Sequence, residues 1–245
     1  MIGGTVVRKF LILITIILVT ISGIAWSETP SNQGSRDKLK EAWRLLERGN
    51  KNFQAKNYDE AIKYYKEALV LEPRSGNAHH NLGLVYKEKG MTDEAIKEFE
   101  KALEINPTLT ASYYNLGILH HLKGKDDEAI AAFKKALSIN PDDANIHFNL
   151  GVAYGSKNMT DEAMAEYQKA IALKPDDADS YYNLGCIYSS KGLKSEASNN
   201  LHKAGLLYLE QGSSNTVVKV LEGLKALNAR ELEKDLSERM PKELK

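Results

Sequence analysis

The chain has 245 residues, 33 basic and 33 acidic side chains, and a single cysteine, Cys186. Balanced charge leaves no basic excess to displace counterions from a phosphate backbone, which argues against nucleic-acid binding, and a lone cysteine excludes an internal disulfide. Such a length ordinarily means one or two domains, but most of this chain repeats with one period, so its core grows along one axis.

Residues 1–27 contain Arg8 and Lys9 and no acid, and Phe10 to Trp26 is a run of 17 uncharged residues. A cationic start before an apolar run is the pattern of a secretory signal. Gly23 would end a helix just before Ala25 and Ser27, which offer the small residues of a cleavage site ahead of Glu28. The run also reaches the lower limit for crossing a bilayer. The segment therefore predicts export, either with cleavage or with residues 10–26 kept as a membrane anchor and Arg8 and Lys9 on the cytoplasmic side. No cysteine follows the apolar run, so a lipoprotein is excluded. Residues 28–35, with Thr29, Pro30, Ser31, Gly34 and Ser35, predict a flexible linker.

Beyond the linker, Arg36 to Lys40 leads into five units, 42–75, 76–109, 110–143, 144–177 and 178–211, each 34 residues long. His80-Asn81-Leu82-Gly83 returns as Tyr114-Asn115-Leu116-Gly117, Phe148-Asn149-Leu150-Gly151 and Tyr182-Asn183-Leu184-Gly185. Pro73, Pro107, Pro141 and Pro175 keep the same step, as do Ala61, Ala95, Ala129, Ala163 and Ala197. A period in this range marks a solenoid.

Within a unit, apolar or aromatic residues at the fourth, seventh and eleventh places, such as Tyr113, Leu116 and His120, share one face of a first helix. Glycine at the eighth place costs about 1 kcal/mol in a helix, so its return implies close approach of a second helix, opposite the alanine at place 20. The turn follows, with Gly90 and Gly124, and Lys56 and Asn158 at the equivalent points. Acids open the second helix (Asp59-Glu60, Asp93-Glu94, Asp127-Glu128, Asp161-Glu162) and complement its dipole. Lys66, Lys101, Lys135 and Lys169 suit the opposite pole, and proline then closes the unit. Tyr65, Phe99, Phe133 and Tyr167 supply its bulky inner residue.

The fifth unit departs from this pattern. Leu209 replaces the proline, and Gly205, Tyr208 and Gly212 restart the motif early, so Ser195 to Gln211 reads as two fused half-units. Val217, Val218, Val220, Leu221, Leu224 and Leu227 form another amphipathic helix, and Ala229 to Met240 reads as a polar-faced cap. Residues 212–245 thus form C-terminal capping helices.

The Leu-Gly, Tyr, Ala, Phe or Tyr, and Pro series at these offsets resembles the tetratricopeptide repeat family, over residues 42 to about 200. The resemblance implies an all-α, right-handed superhelical solenoid of helix-turn-helix repeats, in which first helices line a concave face. It also implies a non-enzymatic interaction scaffold, although the fold does not choose the partner. In the family, places 2, 5, 9 and 12 face the groove with place 6 beside them. Place 5 is Leu46, His80, Tyr114, Phe148 and Tyr182; place 9 is Asn50, Leu84, Ile118, Val152 and Cys186; place 12 is Phe53, Lys87, His121, Gly155 and Ser189. This mostly aromatic, aliphatic or small surface suits an extended peptide or an amphipathic helix. Cys186 is read as a small packed residue rather than a reactive thiol.

Place 6 forms an amide ladder, Asn81, Asn115, Asn149 and Asn183, interrupted by Glu47 in the first unit. An amide both donates and accepts, so it can pair with a peptide backbone of any sequence; similar ladders occur in repeats of protein O-linked glycosyltransferases, and asparagine also stands here in members of unrelated function. The candidate partner-binding groove is therefore His80, Asn81, Tyr114, Asn115, His121, Phe148, Asn149, Tyr182 and Asn183. Places 2, 5 and 6 carry no Lys or Arg, which argues against the clamp by which some members hold a C-terminal carboxylate.

The adjacent pairs His79-His80 and His120-His121 point about 100° apart on a helix and make no joint metal site, while His79, His120 and His147 fall at core places. No nucleophile–base set or phosphate loop appears, and neither a cofactor nor an enzyme activity is expected. The reading is an exported scaffold for a protein or peptide partner. The alternatives are self-association through the 217–227 helix, giving a homo-oligomer on the membrane, or service as an accessory subunit to an envelope enzyme such as a glycosyltransferase.

Overall fold

The computed structural model describes residues 30–240. The signal or anchor expected at 1–27 lies outside the described residues, and among those described no helix is long and apolar enough to cross a membrane. Twelve helices and no strand occur among them, in two compact units divided after Pro73.

The first unit holds α1 (Pro30–Gln54) and α2 (Tyr58–Leu71). Helix α1 begins at Pro30, so residues 30–35 are helical where the sequence predicts a flexible spacer. Proline costs nothing at a first helical position, where its missing N–H would be unpaired anyway, and the Gln33 amide donates to the Asp37 carboxylate one turn on at 3.4 Å. Ala42 and Leu45 are buried with Ala61, Tyr65 and Ala68. The Tyr65 ring lies against Gly49, where a Cβ would come within 2.4 Å; its hydroxyl donates to Asn50 Oδ1 at 2.8 Å, and burial pushes its pKa up to about 12.

The second unit holds α3 (Gly76–Glu88), α4 (Thr92–Ile105), α5 (Thr110–Leu122), α6 (Asp126–Ile139), α7 (Ala144–Ser156), α8 (Thr160–Leu173), α9 (Ala178–Ser190), α10 (Lys194–Glu210), α11 (Ser214–Ala226) and α12 (Arg230–Arg239). Each first helix packs on the second helix that follows it, and each second helix on the next first helix, as expected for a solenoid. The turns take left-handed backbone at Gly90, Gly124 and Gly192, but also at Asn158 (φ 59°). Proline follows directly on the C-caps Asn106 and Asn140 and on Lys174.

Two local expectations are corrected. What meets the eighth-place glycine is the ring of the second helix, not its alanine: a Cβ at Gly83, Gly117 or Gly151 would lie 2.8, 2.4 and 2.8 Å from Phe99, Phe133 and Tyr167. Glycine is required because any Cβ there would overlap that ring. The lysines do not serve the helix dipole, since none of α2, α4, α6 and α8 has a base in its last turn. Lys101 and Lys169 instead reach back one turn to Glu98 and Glu166, each at 2.8 Å.

The C-terminal end explains the degenerate fifth unit. Without a proline, α10 continues for 17 residues. Leu201 replaces the ring against Gly185, and Gly205 receives Leu236 of α12, where a Cβ would meet its Cδ2 at 2.4 Å. Val217, Val220, Leu224 and Leu236 are fully buried in one cluster with Leu201, Ala204 and Met240. Val217, Val220 and Leu224 of the α11 stripe therefore pack within the chain, while Val218 on the same helix stays exposed.

Candidate peptide-binding face

All nine predicted groove residues lie in the second unit, on α3, α5, α7 and α9. Helical spacing puts places 5 and 9 on one side of each first helix, away from the buried leucine at place 7. His80, Tyr114 and Phe148 lean on the inner ring of the paired second helix, with centroid distances of 5.4, 6.2 and 5.8 Å to Phe99, Phe133 and Tyr167. These three and Tyr182 stay partly exposed, as do Leu84, Ile118 and Val152 beside them. Cys186, predicted to be packed, is exposed, because it occupies this same face.

Polar groups stitch neighbouring first helices together. The His80 Nδ1 lies 2.8 Å from the buried Ser112 hydroxyl, Lys87 donates to Asn115 Oδ1 at 2.9 Å, and Asn149 Nδ2 donates to the Tyr114 hydroxyl at 3.3 Å. Burial, and then the nearby Lys87 charge, hold the His80 pKa below its ordinary value, so this ring is neutral at pH 7. His121 Nδ1 donates to Asp126 at 2.6 Å, at the start of α6, and stands apart from His80.

The amide ladder is more occupied than its spacing reveals. Asn115 and Asn149 each turn their Nδ2 back to the carbonyl four residues earlier, at 2.8 Å on Ala111 and Asn145. Asn115 is buried with both polar atoms engaged, so its amide ties α3 to α5. Asn81, Asn149 and Asn183 are only partly buried.

Sequence reasoning missed two further features. His79 and His147 hydrogen-bond Glu98 and Glu166 in buried pairs, each at 2.6 Å. The available signal was internal: glutamate stands 19 residues on only where place 4 is histidine, while Tyr113 and Tyr181 are followed by Ala132 and Asn200. The second feature is a cleft of about 260 Å³ between α5 and α7, lined by Thr110, Ala111, Tyr114, Asn140, Asp143, Asn145 and Ile146. Asp143 and Asn140 close the preceding repeat, outside the groove places. Among the described residues, no three His, Cys, Asp or Glu side chains group as metal ligands do.

A family model described as TPR repeat matches residues 49–90, 85–124, 121–158 and 156–192. Two crystal structures of MamA are similar: one is 29% identical with a TM-score of 0.64, covering 67% of this chain and 96% of that one. The other is 28% identical with a TM-score of 0.65, covering 71% and 95%. YrrB, described as a TPR protein with an unusual peptide-binding site, is 24% identical with a TM-score of 0.62 over 76% of this chain and all of that one, a likeness of fold alone. No curated protein matches the chain. Repeat matches that run without a gap over residues 49–192, more than half the length, place this chain in the tetratricopeptide repeat family.

Proposed function

We propose that this chain is a non-enzymatic scaffold that recruits a polypeptide along the face formed by α3, α5, α7 and α9. One observation carries the reading. Tyr114, Phe148 and Tyr182 recur one repeat apart with ring area still open, whereas a face meant only for water is charged. The aromatic side chains bury apolar groups of the ligand, and Asn81, Asn149 and Asn183 hold its backbone. His80 and His121 flank this row, and Asn115 sets the spacing of its helices rather than contacting the ligand. Val217, Val220 and Leu224 of α11 pack within the chain, so recruitment is preferred here to self-association through that helix.

The reading includes export, on the strength of the charge pattern in residues 1–27; fractionation with N-terminal sequencing would show a mature start at Glu28, an intact membrane-bound chain, or, against export, an intact cytoplasmic one. For the groove, Tyr114→Ala combined with Phe148→Ala is expected to weaken binding of the co-purifying polypeptide at least about tenfold, since buried aromatic anchors dominate interfaces. Circular dichroism should stay unchanged. Undiminished affinity in the double variant would contradict the groove reading.

A further inference from the structure

The cleft between α5 and α7 differs from the apolar row beside it, because its only charged lining residue is an acid. Asp143 caps α7 through one oxygen: Oδ1 accepts from the N–H groups of Asn145 and Ile146 at 3.0 and 3.2 Å. Its field reaches the wall opposite, since the Tyr114 pKa is raised first by burial and next by Asp143. The remaining polar lining, from Thr110, Asn140 and Asn145, is uncharged.

The next repeat makes the contrast. Asp177 holds the equivalent place and caps α9 in the same way, through the Ser180 N–H at 3.2 Å. It has its own cation, Lys174, at 3.6 Å. Asn140 stands where Lys174 would be, so Asp143 lacks that internal counter-charge. The helix terminus opposes a cation with about half a positive charge, but Asp143 and the adjacent, exposed Asp142 set two full negative charges against it.

We infer that this cleft takes an arginine side chain of the bound polypeptide, its guanidinium stacked on Tyr114 and donating to the Asp143 carboxylate. The inference rests on the proposed groove and adds a charge requirement to it. A planar cation with several donors suits an aromatic wall facing a carboxylate, and at about 260 Å³ the space is below the range of whole small-molecule sites and suits one side chain. An anionic group would meet Asp143 with no cation to offset it.

The test uses the full chain and two probes. The first is N-acetyl-arginine amide against its neutral isostere N-acetyl-citrulline amide, followed through the backbone amide shifts of Ala111, Tyr114 and Asn145. Only the arginine probe should move them, and Asp143→Asn should abolish the response while keeping the cap, since asparagine caps as well as aspartate. The second is a pool of uncharged octapeptides with a central arginine against the same pool with citrulline. Wild type should prefer arginine by about tenfold, the scale of a desolvated cation–π contact with a charge partner, and Asp143→Asn should show no preference. Equal response to both small probes, or an arginine preference that survives Asp143→Asn, would overturn the inference. If both pools bind equally at the aromatic row, the cleft assignment fails and the groove stands. If the small probe binds but neither pool does, the groove fails and the cleft stands.

Discussion

A methyl group added at Gly117 would sit 2.4 Å from the Phe133 ring, so Gly117→Ala must displace a fully buried aromatic. The expected loss is about 1–3 kcal/mol in urea unfolding, the usual cost of overpacking. Gly117→Ala with Phe133→Leu should lose less than the sum of the two single losses, because both act on one contact; strict additivity would show that the ring does not impose the glycine. Lys56 holds left-handed backbone (φ 60°) where Gly90 and Gly124 stand in later repeats. Lys56→Gly is accordingly expected to stabilise the first unit by up to about 1 kcal/mol, the strain an L-residue bears there. At this scale the positions were legible and their contacts were not. The period located the eighth-place glycine, but which residue lies on it depends on side-chain direction, and the ring occupies the space assigned to alanine. Spacing likewise located the asparagines without showing that Asn115 and Asn149 bond their own helix.

Between elements, the buried pairs His79–Glu98 and His147–Glu166 join a first helix to its second. Burial raises the Glu98 pKa, but hydrogen bonds from Lys101 and His79 outweigh it and leave the carboxyl below its ordinary 4.5. A carboxyl lowered on folding contributes stability that is fully present above pH 4.5 and is lost as pH falls through the folded value. Glu98→Gln should cost about 1–3 kcal/mol at pH 7, the range for hydrogen bonds to charged groups. The gap to wild type should narrow as pH falls below 4.5; a gap independent of pH would remove the ionised carboxylate from the account. The Lys191–Asp161 contact, at 2.7 Å, is a surface pair with Asp161 77% exposed and is worth little. Helix order and pairing were legible because patterning repeats, whereas the pairs required comparing places 4 and 23 across units.

For the whole molecule, stability in a repeat array is a sum over neighbours, so damage at one end stays local. Leu236 closes the C-terminal cluster over Gly205, and Leu236→Ala should cost about 2–5 kcal/mol there. Hydrogen exchange should show α10 to α12 losing protection while α5 to α8 keep it; uniform loss would mean that the array unfolds as one body. The missing proline at Leu209 made this end legible as a departure, but the burial of α11 depended on Leu236, which charged neighbours conceal in the sequence. The most direct measurement of the central claim places a photo-crosslinking phenylalanine analogue at Tyr114, with a second copy at the exposed Glu100 on α4 as control, in the native cell. Polypeptide recruitment along the first helices predicts one dominant foreign adduct from position 114, absent from position 100 and lost when Phe148→Ala is added. Adducts only to the chain itself, or the same adducts from both positions, would contradict it.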